Sequence, residues 1–316
     1  IGLSTPRDID MKFHLRHLIG FGLCFLMLSA TAKTADFQEL PVAVNKSDWL
    51  PLLKQTDRNM QKRLEQQLST RLQWRKLIRK RKMAVGLVDL TDPAAPLYAQ
   101  VNGQKEMYAA SLPKIAILLA AFDHFEKGKL KRTPEVEQDL LAMIRTSSNS
   151  AATRMIDRVG GLMGVNEVLR DPRYHFYDGK NGGLWVGKRY AKTGPRMPDP
   201  VNGISHAATV AQVCRFYYQL ATGSLINPEA SRDMLEMLSE PGIQHKFVKS
   251  LNELAPDAEL YRKSGTWKEW HADSVLVWGP GWRRYILVAL VESPKGEKIL
   301  RDLVAVAENV LRDDNN

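Results

Sequence analysis

The sequence predicts an α/β (α+β) fold in which one sheet is assembled from both ends of the chain. Two short stretches with strand character come early, three more come near the carboxyl end, and the stretch between them is helical. The composition suits a folded unit of this kind, because 44% of the 316 residues are hydrophobic and 25% are charged.

The first residues have the pattern of a targeting segment. We expect residues 1–10 to be an upstream extension, because Met11 is the better start. Residues 11–32 have the three parts of a signal peptide: a basic beginning, an apolar stretch from Leu18 to Leu28, and a small-residue cleavage site. The apolar stretch is too short to span a bilayer. The predicted location is therefore secreted or periplasmic, with no membrane span after cleavage.

Charge, cysteine and histidine content exclude several other classes. The formal net charge is +10, but no nucleic-acid recognition module accompanies it, so we expect no nucleic-acid partner. The histidines are scattered without ligand spacing, and we expect no metal and no cofactor. After cleavage Cys214 would be the only cysteine, and its apolar helical surroundings predict a buried side chain. We expect a monomer.

Residues 33–82 are predicted to form an amino-terminal segment that ends in one long amphipathic helix. Thr56 has the character of its N-cap. Apolar residues then recur every four positions, at Met60, Leu64, Leu68 and Leu72.

Residues 83–316 are predicted to form the catalytic domain, which begins with strands at residues 83–90 and 97–101. Ile115 to Phe125 is apolar on nearly every side and predicts a buried helix. Residues 171–205 are rich in glycine and proline without periodicity, which indicates a functional loop. The remaining predicted elements are helices at residues 133–145, 151–159, 209–221, 228–238 and 298–311, and strands at residues 259–263, 274–278 and 285–291.

Three short motifs carry the chemistry. Ser111-Leu112-Pro113-Lys114 opens the buried helix, so the hydroxyl and the amine lie on one face, three positions apart. A neutral lysine amine can take the proton of a serine, which is otherwise a poor nucleophile near neutral pH. Ser147-Ser148-Asn149 follows in a turn, and Lys263-Ser264-Gly265-Thr266 precedes the last strands. Lys192-Thr193-Gly194 resembles the third motif in letters, but it lies in the proline-rich loop and we set it aside.

The three motifs, in this order, resemble the signature of the penicillin-recognising serine hydrolases, and of the class A β-lactamases in particular. The resemblance covers roughly residues 83–312 of the chain. It implies a five-stranded antiparallel sheet flanked by the first and last helices, together with an all-helical subdomain.

The resemblance also implies roles for the catalytic residues. Ser111 would be the nucleophile and Lys114 the base that takes its proton. Ser147 would relay a proton to the leaving nitrogen, and Lys263 would supply a positive field. The backbone N–H groups of Ser111 and Thr266 would form the oxyanion hole.

Further residues would bind substrate. Asn149 would bind the substrate amide and orient the base. Ser264, Gly265 and Thr266 would line the substrate, with the two hydroxyls bonding its carboxylate. His271 lies near the position of a carboxylate-binding arginine in some relatives, and it is a candidate for anion binding.

The chain departs from the class A pattern in three places. Ser111 and Ser147 are only 36 positions apart, so part of the helical subdomain is expected to be missing. Ser148 replaces the aspartate that braces the second motif. No glutamate occurs in residues 171–205, where class A enzymes carry the one that activates the deacylating water. Asp178 and Glu269 are the candidates for that base.

Three functions follow from these motifs. The first is an exported serine hydrolase of class A β-lactamase type, which cleaves a β-lactam amide through an acyl-enzyme on Ser111. The alternative is a D-alanyl-D-alanine carboxypeptidase or related penicillin-binding enzyme of peptidoglycan metabolism, with an acyl-D-Ala-D-Ala peptide as substrate. The third is a non-catalytic envelope-binding protein, which has no reason to keep both lysines.

Overall fold

The sheet assembled from both chain ends is present in the computed structural model, which describes residues 38–45, 47 and 49–312. Its strands are β1 (Met83–Asp89), β2 (Leu97–Val101), β8 (Glu259–Trp267), β9 (Trp270–Trp278) and β10 (Arg284–Glu292). They lie in the order β2-β1-β10-β9-β8, and every neighbouring pair is antiparallel. The early and late strands meet where β1 pairs with β10, and this confirms the predicted topology.

Ten α-helices, a short 3-10 helix at Leu52–Lys54 and five short strands complete the described part of the chain. The helices are α1 (Arg58–Ser69), α2 (Leu72–Arg79), α3 (Lys114–Glu126), α4 (Pro134–Arg145), α5 (Asn149–Arg158), α6 (Gly161–Arg170), α7 (Val210–Ala221), α8 (Pro228–Leu238), α9 (Phe247–Leu254) and α10 (Gly296–Arg312). The short strands are β3 (Met107–Tyr108), β4 (Tyr177–Asp178), β5 (Gly182–Gly183), β6 (Trp185–Val186) and β7 (His206–Ala208).

The two faces of the sheet bury separate apolar cores. Along β1, Ala84 and Val88 belong to the core that contains α3 and α7, because alternate side chains of a strand point to opposite faces. Val85 and Leu87 belong to the other core, which α1, α9 and α10 cover. The helical middle of the chain therefore packs on one face, and the first and last helices pack on the other.

The predicted single long helix after Thr56 is wrong in two respects. The N-cap is Asp57, whose carboxylate accepts a hydrogen bond from the Met60 N–H at 2.7 Å. The helix is also interrupted, because Arg71 takes an extended conformation between α1 and α2. Leu72 continues the four-residue spacing but is 55% exposed, whereas Trp74 is 3% exposed. The interruption thus turns Trp74 towards the core in place of Leu72.

Most of the other elements lie where the sequence predicts them. Cys214 is buried with a free thiol, as expected. Helices α6 and α9 were not predicted, and the loop at residues 171–205 contains β4, β5 and β6. The predicted upstream extension and signal peptide lie outside the described residues. Across the described ranges, every helix is too short or too polar to cross a membrane.

Candidate active site

Ser111 lies in a tight turn between β3 and α3. The Ala109 N–H donates to the His206 carbonyl at 2.8 Å, which fixes the start of the turn on β7. Ala110 then adopts a positive φ of 51°, an uncommon and strained conformation for a residue with a Cβ. The α-helix begins at Lys114, three residues later than the motif suggested. The turn presents Ser111 at a cavity, with Lys114 behind it.

The Lys114 amine is buried among acceptors. Its Nζ donates to the Ser147 carbonyl at 2.6 Å and to Asn149 Oδ1 at 2.8 Å, and it lies 3.3 Å from Ser147 Oγ. Burial lowers the pKa of Lys114 to about 7. A substantial fraction of the amine is therefore neutral near pH 7, as a base requires.

Ser147 lies between two lysines. Its Oγ accepts a hydrogen bond from Lys263 Nζ at 3.0 Å and faces Lys114 on its other side. Ser147 has a positive φ of 58°, so this orientation needs a strained backbone. Burial lowers the pKa of Lys263 well below its ordinary value, and the Lys114 charge adds to this. Each ammonium thus disfavours the other, and the pair favours one proton over two.

The second motif is stabilised by a helix cap. Ser148 Oγ accepts a hydrogen bond from the Ala151 N–H at 3.2 Å, so Ser148 is the N-cap of α5 and Asn149 is its first residue. The serine here supplies a local brace in the absence of an aspartate. Asn149 consequently projects from a fixed helix end towards Lys114.

The third motif lies on β8, the edge strand of the sheet beside the serine turn. A Cβ at Gly265 would lie 2.2 Å from the Ala109 carbonyl oxygen and 2.6 Å from the Ser111 nitrogen, closer than any side chain allows. Gly265 therefore permits the strand to press against the turn. This contact brings the backbone of Thr266 to the side of Ser111.

Two basic residues that the sequence analysis missed hold the hydroxyls of this strand. His245 Nε2 lies 3.3 Å from Ser264 Oγ. Lys246 Nζ donates to Thr266 Oγ1 and to the Gly265 carbonyl, both at 2.7 Å. Burial lowers the pKa of Lys246 to about 8. The only sequence signal is that a histidine and a lysine are adjacent, and nothing in that pair indicates burial.

The third acceptor of Lys246 is the Ala272 carbonyl, at 3.1 Å. The three N–H groups of the ammonium thus have three acceptors, and the amine is saturated. Thr266 Oγ1 accepts from it, so its own hydrogen is left to donate into the cavity. Lys246 is accordingly a positioning residue that acts through Thr266.

The cavity in front of Ser111 has a volume of about 820 Å³. Asn149, Thr266 and Trp270 line it together with Ser111. Its other side is formed by residues 188–192 and 203–206 and Arg196. Among the described residues that line it there is no aspartate and no glutamate.

Tyr190 covers the Lys114 amine from the loop side. Lys114 Nζ lies 4.5 Å from the centre of the Tyr190 ring. The Tyr190 hydroxyl donates to the Ala110 carbonyl at 3.3 Å, and its ring stacks on His206 with centroids 4.3 Å apart. Burial lowers the pKa of His206 to about 3, with the charge of Lys114 adding to the effect, so the imidazole is neutral. An aromatic pair therefore occupies this side of the amine.

The candidates for the deacylating base lie away from the cavity lining. Asp178 accepts hydrogen bonds from the N–H groups of Lys180 at 2.8 Å and Asn181 at 2.7 Å, as a turn residue does. Burial raises the pKa of Asp178, but these hydrogen bonds outweigh it and the pKa is lowered overall. Glu269 is exposed in the turn between β8 and β9. The role of Asp178 or Glu269 as the deacylating base remains a prediction, and no contact of either residue with the cavity supports it.

His271 also lies outside the cavity lining, in β9. It is 9% exposed, and a Cβ at Gly296 would lie 2.4 Å from its ring, so α10 packs closely against it. Burial and the charge of Lys246 lower its pKa. Its predicted role in anion binding stays a prediction, whereas Lys246 does contact the motif.

The acids of the loop region brace the loop instead of facing Ser111. Glu106 accepts hydrogen bonds from the Gly183 N–H at 2.9 Å and from Asn202 Nδ2 at 2.7 Å. Burial raises its pKa to about 7, and it is hydrogen-bonded to Asp199. Asp199 in turn accepts from the Asn202 N–H at 2.9 Å. These buried acids thus have a structural task.

Known proteins place this arrangement in a family. The profile described as "Beta-lactamase enzyme family" matches residues 64–138 and 133–311. No curated protein sequence matches the chain.

Solved structures of this type are similar in fold. A point mutant of PBP-A, in an acyl-enzyme complex with penicillin-G, is 17% identical with a TM-score of 0.61, over 82% of this chain and 97% of that chain. The β-lactamase from Sphaerobacter thermophilus DSM 20745 is 16% identical with a TM-score of 0.61, over 79% and 97% of the two chains. A mutant class A β-lactamase of the last common ancestor of Gram-negative bacteria, bound to the transition-state analogue 5(6)-nitrobenzotriazole, is 16% identical with a TM-score of 0.60, over 79% and 99%.

The profile spans most of the chain, and it includes all three motifs and the strands that carry them. The expected family, the α/β fold and the serine hydrolase class are therefore confirmed. The chain belongs to the β-lactamase enzyme family and is a serine hydrolase with the class A β-lactamase-like fold.

Proposed function

We propose that this hydrolase opens β-lactam amides by acyl transfer to Ser111. Ser111 Oγ attacks the carbonyl carbon, the Oγ–C bond forms, the ring C–N bond breaks, and the nitrogen takes up a proton. The observation that carries the proposal is the position of Ser147 Oγ between Lys263 and Lys114, the lysine of the serine motif. This hydroxyl gives the proton a route to the leaving nitrogen.

Lys114 is the proposed base for the serine proton. A neutral amine has two N–H groups and one lone pair. The two short acceptors, the Ser147 carbonyl and Asn149 Oδ1, can take both hydrogens. The lone pair is then free for the Ser111 hydroxyl. Lys263 is the proposed source of the positive field, since its Nζ donates to Ser147 Oγ at 3.0 Å and to the Ser264 carbonyl at 2.9 Å.

The proposed oxyanion hole consists of the backbone N–H groups of Ser111 and Thr266. The close approach that Gly265 permits supports it, because the two backbones lie side by side. Losing one such donor typically costs about 2.7–4 kcal/mol of transition-state stabilisation. The hydroxyls of Ser264 and Thr266 would bind the substrate carboxylate, with Gly265 lining the same strand.

Release of the acyl group is proposed to be slow. A general base for water is worth about 10²–10⁴ in rate, and no carboxylate lines the described cavity. Tyr190 covers the Lys114 amine, where water would have to approach. The proposal therefore combines competent acylation with poor hydrolysis of the adduct.

A second function, D-alanyl-D-alanine carboxypeptidase or related penicillin-binding activity, is favoured by the same lack of a carboxylate. An enzyme that acts on cell-wall peptides need not hydrolyse a β-lactam adduct quickly. The likeness to a PBP-A mutant captured as a penicillin-G acyl-enzyme agrees with it. Secretion or a periplasmic location, and a monomeric state, belong to both proposals and rest on the predicted signal peptide and on the size of the core.

Intact-protein mass spectrometry with a chromogenic cephalosporin tests the proposal. We expect an adduct of one acyl group per chain on the peptide that contains Ser111, and no adduct in Ser111→Ala. Ser69→Ala, in an exposed serine at the end of α1, is the matched control and should be acylated normally. Rapid repeated turnover would favour the β-lactamase function. A lasting adduct, together with release of D-alanine from an acyl-D-Ala-D-Ala peptide, would favour the second function. Equal labelling of wild type and Ser111→Ala, or no labelling of either, would overturn both.

A further inference from the structure

One side of the cavity is strongly basic. Lys188, Arg189, Lys192 and Arg196 all line it, within nine positions of the chain. No acidic side chain is among the described residues that line the same cavity. A cleft lined by charges of one sign attracts ligands of the opposite sign.

Three of these four cations lack a carboxylate partner in the described part of the chain. Arg189 is paired, because its Nε donates to Asp157 Oδ1 at 2.6 Å. Lys188 Nζ donates to a backbone carbonyl, that of Lys192, at 3.1 Å. Among the residues that the structure describes, no ion pair holds Lys192 or Arg196. We call Lys188, Lys192 and Arg196 the basic wall.

The fold fixes the basic wall beside the serine turn. Lys188 and Arg196 are bridged in antiparallel fashion, and the Met197 N–H donates to the Gly187 carbonyl at 2.7 Å. These contacts hold together the two ends of the segment formed by residues 187–197. Between them, Tyr190 is tied to the Ala110 carbonyl, one residue before Ser111.

This tie limits the distance between the charges and the nucleophile. Lys188 and Lys192 each lie two positions from Tyr190, and two residues of extended chain span at most about 7 Å. The long side chains can therefore reach a group attached to the reacting carbonyl. The basic wall also faces the neutral His206, whose pKa the charges of Lys188 and Arg196 help to lower.

The opposite side of the cavity is aromatic. Trp270 packs edge-on against Tyr108, with ring centroids 5.7 Å apart, and both line the cavity. Trp267 lines it as well and is 56% exposed. A ligand with an anionic group on one side and a hydrocarbon or ring on the other would match both sides.

We propose that the basic wall recognises a carboxylate on the acyl arm of the substrate, in addition to the carboxylate that the third motif would bind. The inference rests on the proposed function, because it assigns the arm of the same amide substrate. Amide substrates of peptide or β-lactam type carry their negative charge as carboxylates. The substrate class is therefore an amide with an acidic acyl side chain.

A matched pair of ligands tests this inference without relying on acylation. Benzylpenicillin and its α-carboxy analogue differ by one carboxylate on the acyl arm. Their dissociation constants are measured on Ser111→Ala by the tryptophan fluorescence of the cavity, where Trp267 and Trp270 lie. We expect the α-carboxy analogue to bind about three- to tenfold more tightly at low salt, as exposed charge pairs allow. This preference should disappear near 1 M salt, where the Debye length is about 3 Å.

The double substitution Lys192→Ala/Arg196→Ala, in the Ser111→Ala background, should remove the preference while benzylpenicillin binding changes less than about twofold. Arg75→Ala/Lys76→Ala removes the same net charge from exposed residues of α2 and is the control that should keep the preference. Circular dichroism checks that each variant is folded.

Equal affinities for the two penicillins, no binding of either, or an equal loss in both double variants would overturn the inference. Acylation of wild type is scored separately by mass. A chain that acylates at Ser111 without preferring the α-carboxy analogue keeps the proposed function and loses only the basic wall as a recognition site. A chain that binds with this preference but is never acylated loses the proposed function alone.

Discussion

Two groups of residues near Ser111 differ in what they contribute to chemistry. The lysine side, formed by Lys114, Ser147 and Lys263, has short contacts, strained backbone and lowered amine pKa values. The loop side, formed by Tyr190 and His206, contributes a stacked and uncharged aromatic pair. The first side has the groups that make an acyl bond, while the second lacks a carboxylate to direct water onto it. The difference teaches that making and breaking the acyl bond depend on separate parts of this fold.

The largest effect is expected for Lys114, the proposed general base of the lysine side. Lys114→Ala removes the group that takes the serine proton, and we expect acylation to slow about 10²–10⁴-fold. The rate is measured as the growth of the adduct by intact mass. Lys62→Ala, in an exposed lysine of α1, is the control and should acylate at the wild-type rate. Acylation of Lys114→Ala within a few-fold of wild type would remove Lys114 from the mechanism.

The second-largest effect is expected when a carboxylate is introduced on the loop side. Tyr190→Glu places a carboxylate where the ring covers Lys114, and we expect the adduct to hydrolyse about 10²-fold faster, since a general base becomes available. The half-life of the adduct is followed after excess β-lactam is removed. Tyr190→Gln is the matched control, because it opens the same space without a base. If the two variants release the adduct at the same rate, a missing general base is not the reason for slow hydrolysis.

A smaller effect is expected at the positioning residue under the third motif. Lys246→Met removes the donor to Thr266 Oγ1, and we expect the second-order acylation rate to fall about tenfold, since hydrogen bonds to charged groups are worth about 1.5–3 kcal/mol. The loss should appear in the half-saturating β-lactam concentration. Thr266→Val should reproduce this loss, because it removes the same hydrogen bond from the acceptor side. A fall in the maximal rate with unchanged half-saturation would contradict a positioning role.

An effect of similar size, over one pH unit, is expected from the titration of Lys114. Lys114 acts as a base in its neutral form, and its pKa is lowered to about 7, so acylation should rise with pH and level off above that value. At one pH unit below the pKa, about a tenth of the amine is neutral, and the rate should be about tenfold below the plateau. Stopped-flow acylation between pH 5 and 9 measures the profile. The range stops at about pH 9, because the β-lactam itself is lost at higher pH. A flat profile, or a rate that falls as pH rises through 7, would exclude a neutral Lys114 as the base.

The sequence predicted most of the long elements and the three motifs, but not the contacts that tune them. Periodicity located the buried helix and the strands from both chain ends, because burial imposes a pattern of its own. The role of Lys246 could not be predicted, since its burial depends on a turn of positive φ that brings it under β8. Tyr190 was hidden for a similar reason: it lies in a loop without periodicity, and its position over Lys114 depends on distant contacts. Asp178 shows the converse, because its carboxylate accepts hydrogen bonds from two backbone N–H groups of its own turn, while its role as the deacylating base stays a prediction.

Burst kinetics with a chromogenic cephalosporin test the central claim most directly. If the lysine side is complete and the loop side lacks a base, the first turnover should release about one equivalent of product per chain. The steady rate that follows should then be slower by about 10² or more, the worth of a missing general base. A linear time course with rapid turnover and no burst would contradict this account, because it would show that the cavity hydrolyses the acyl-enzyme as fast as it forms it.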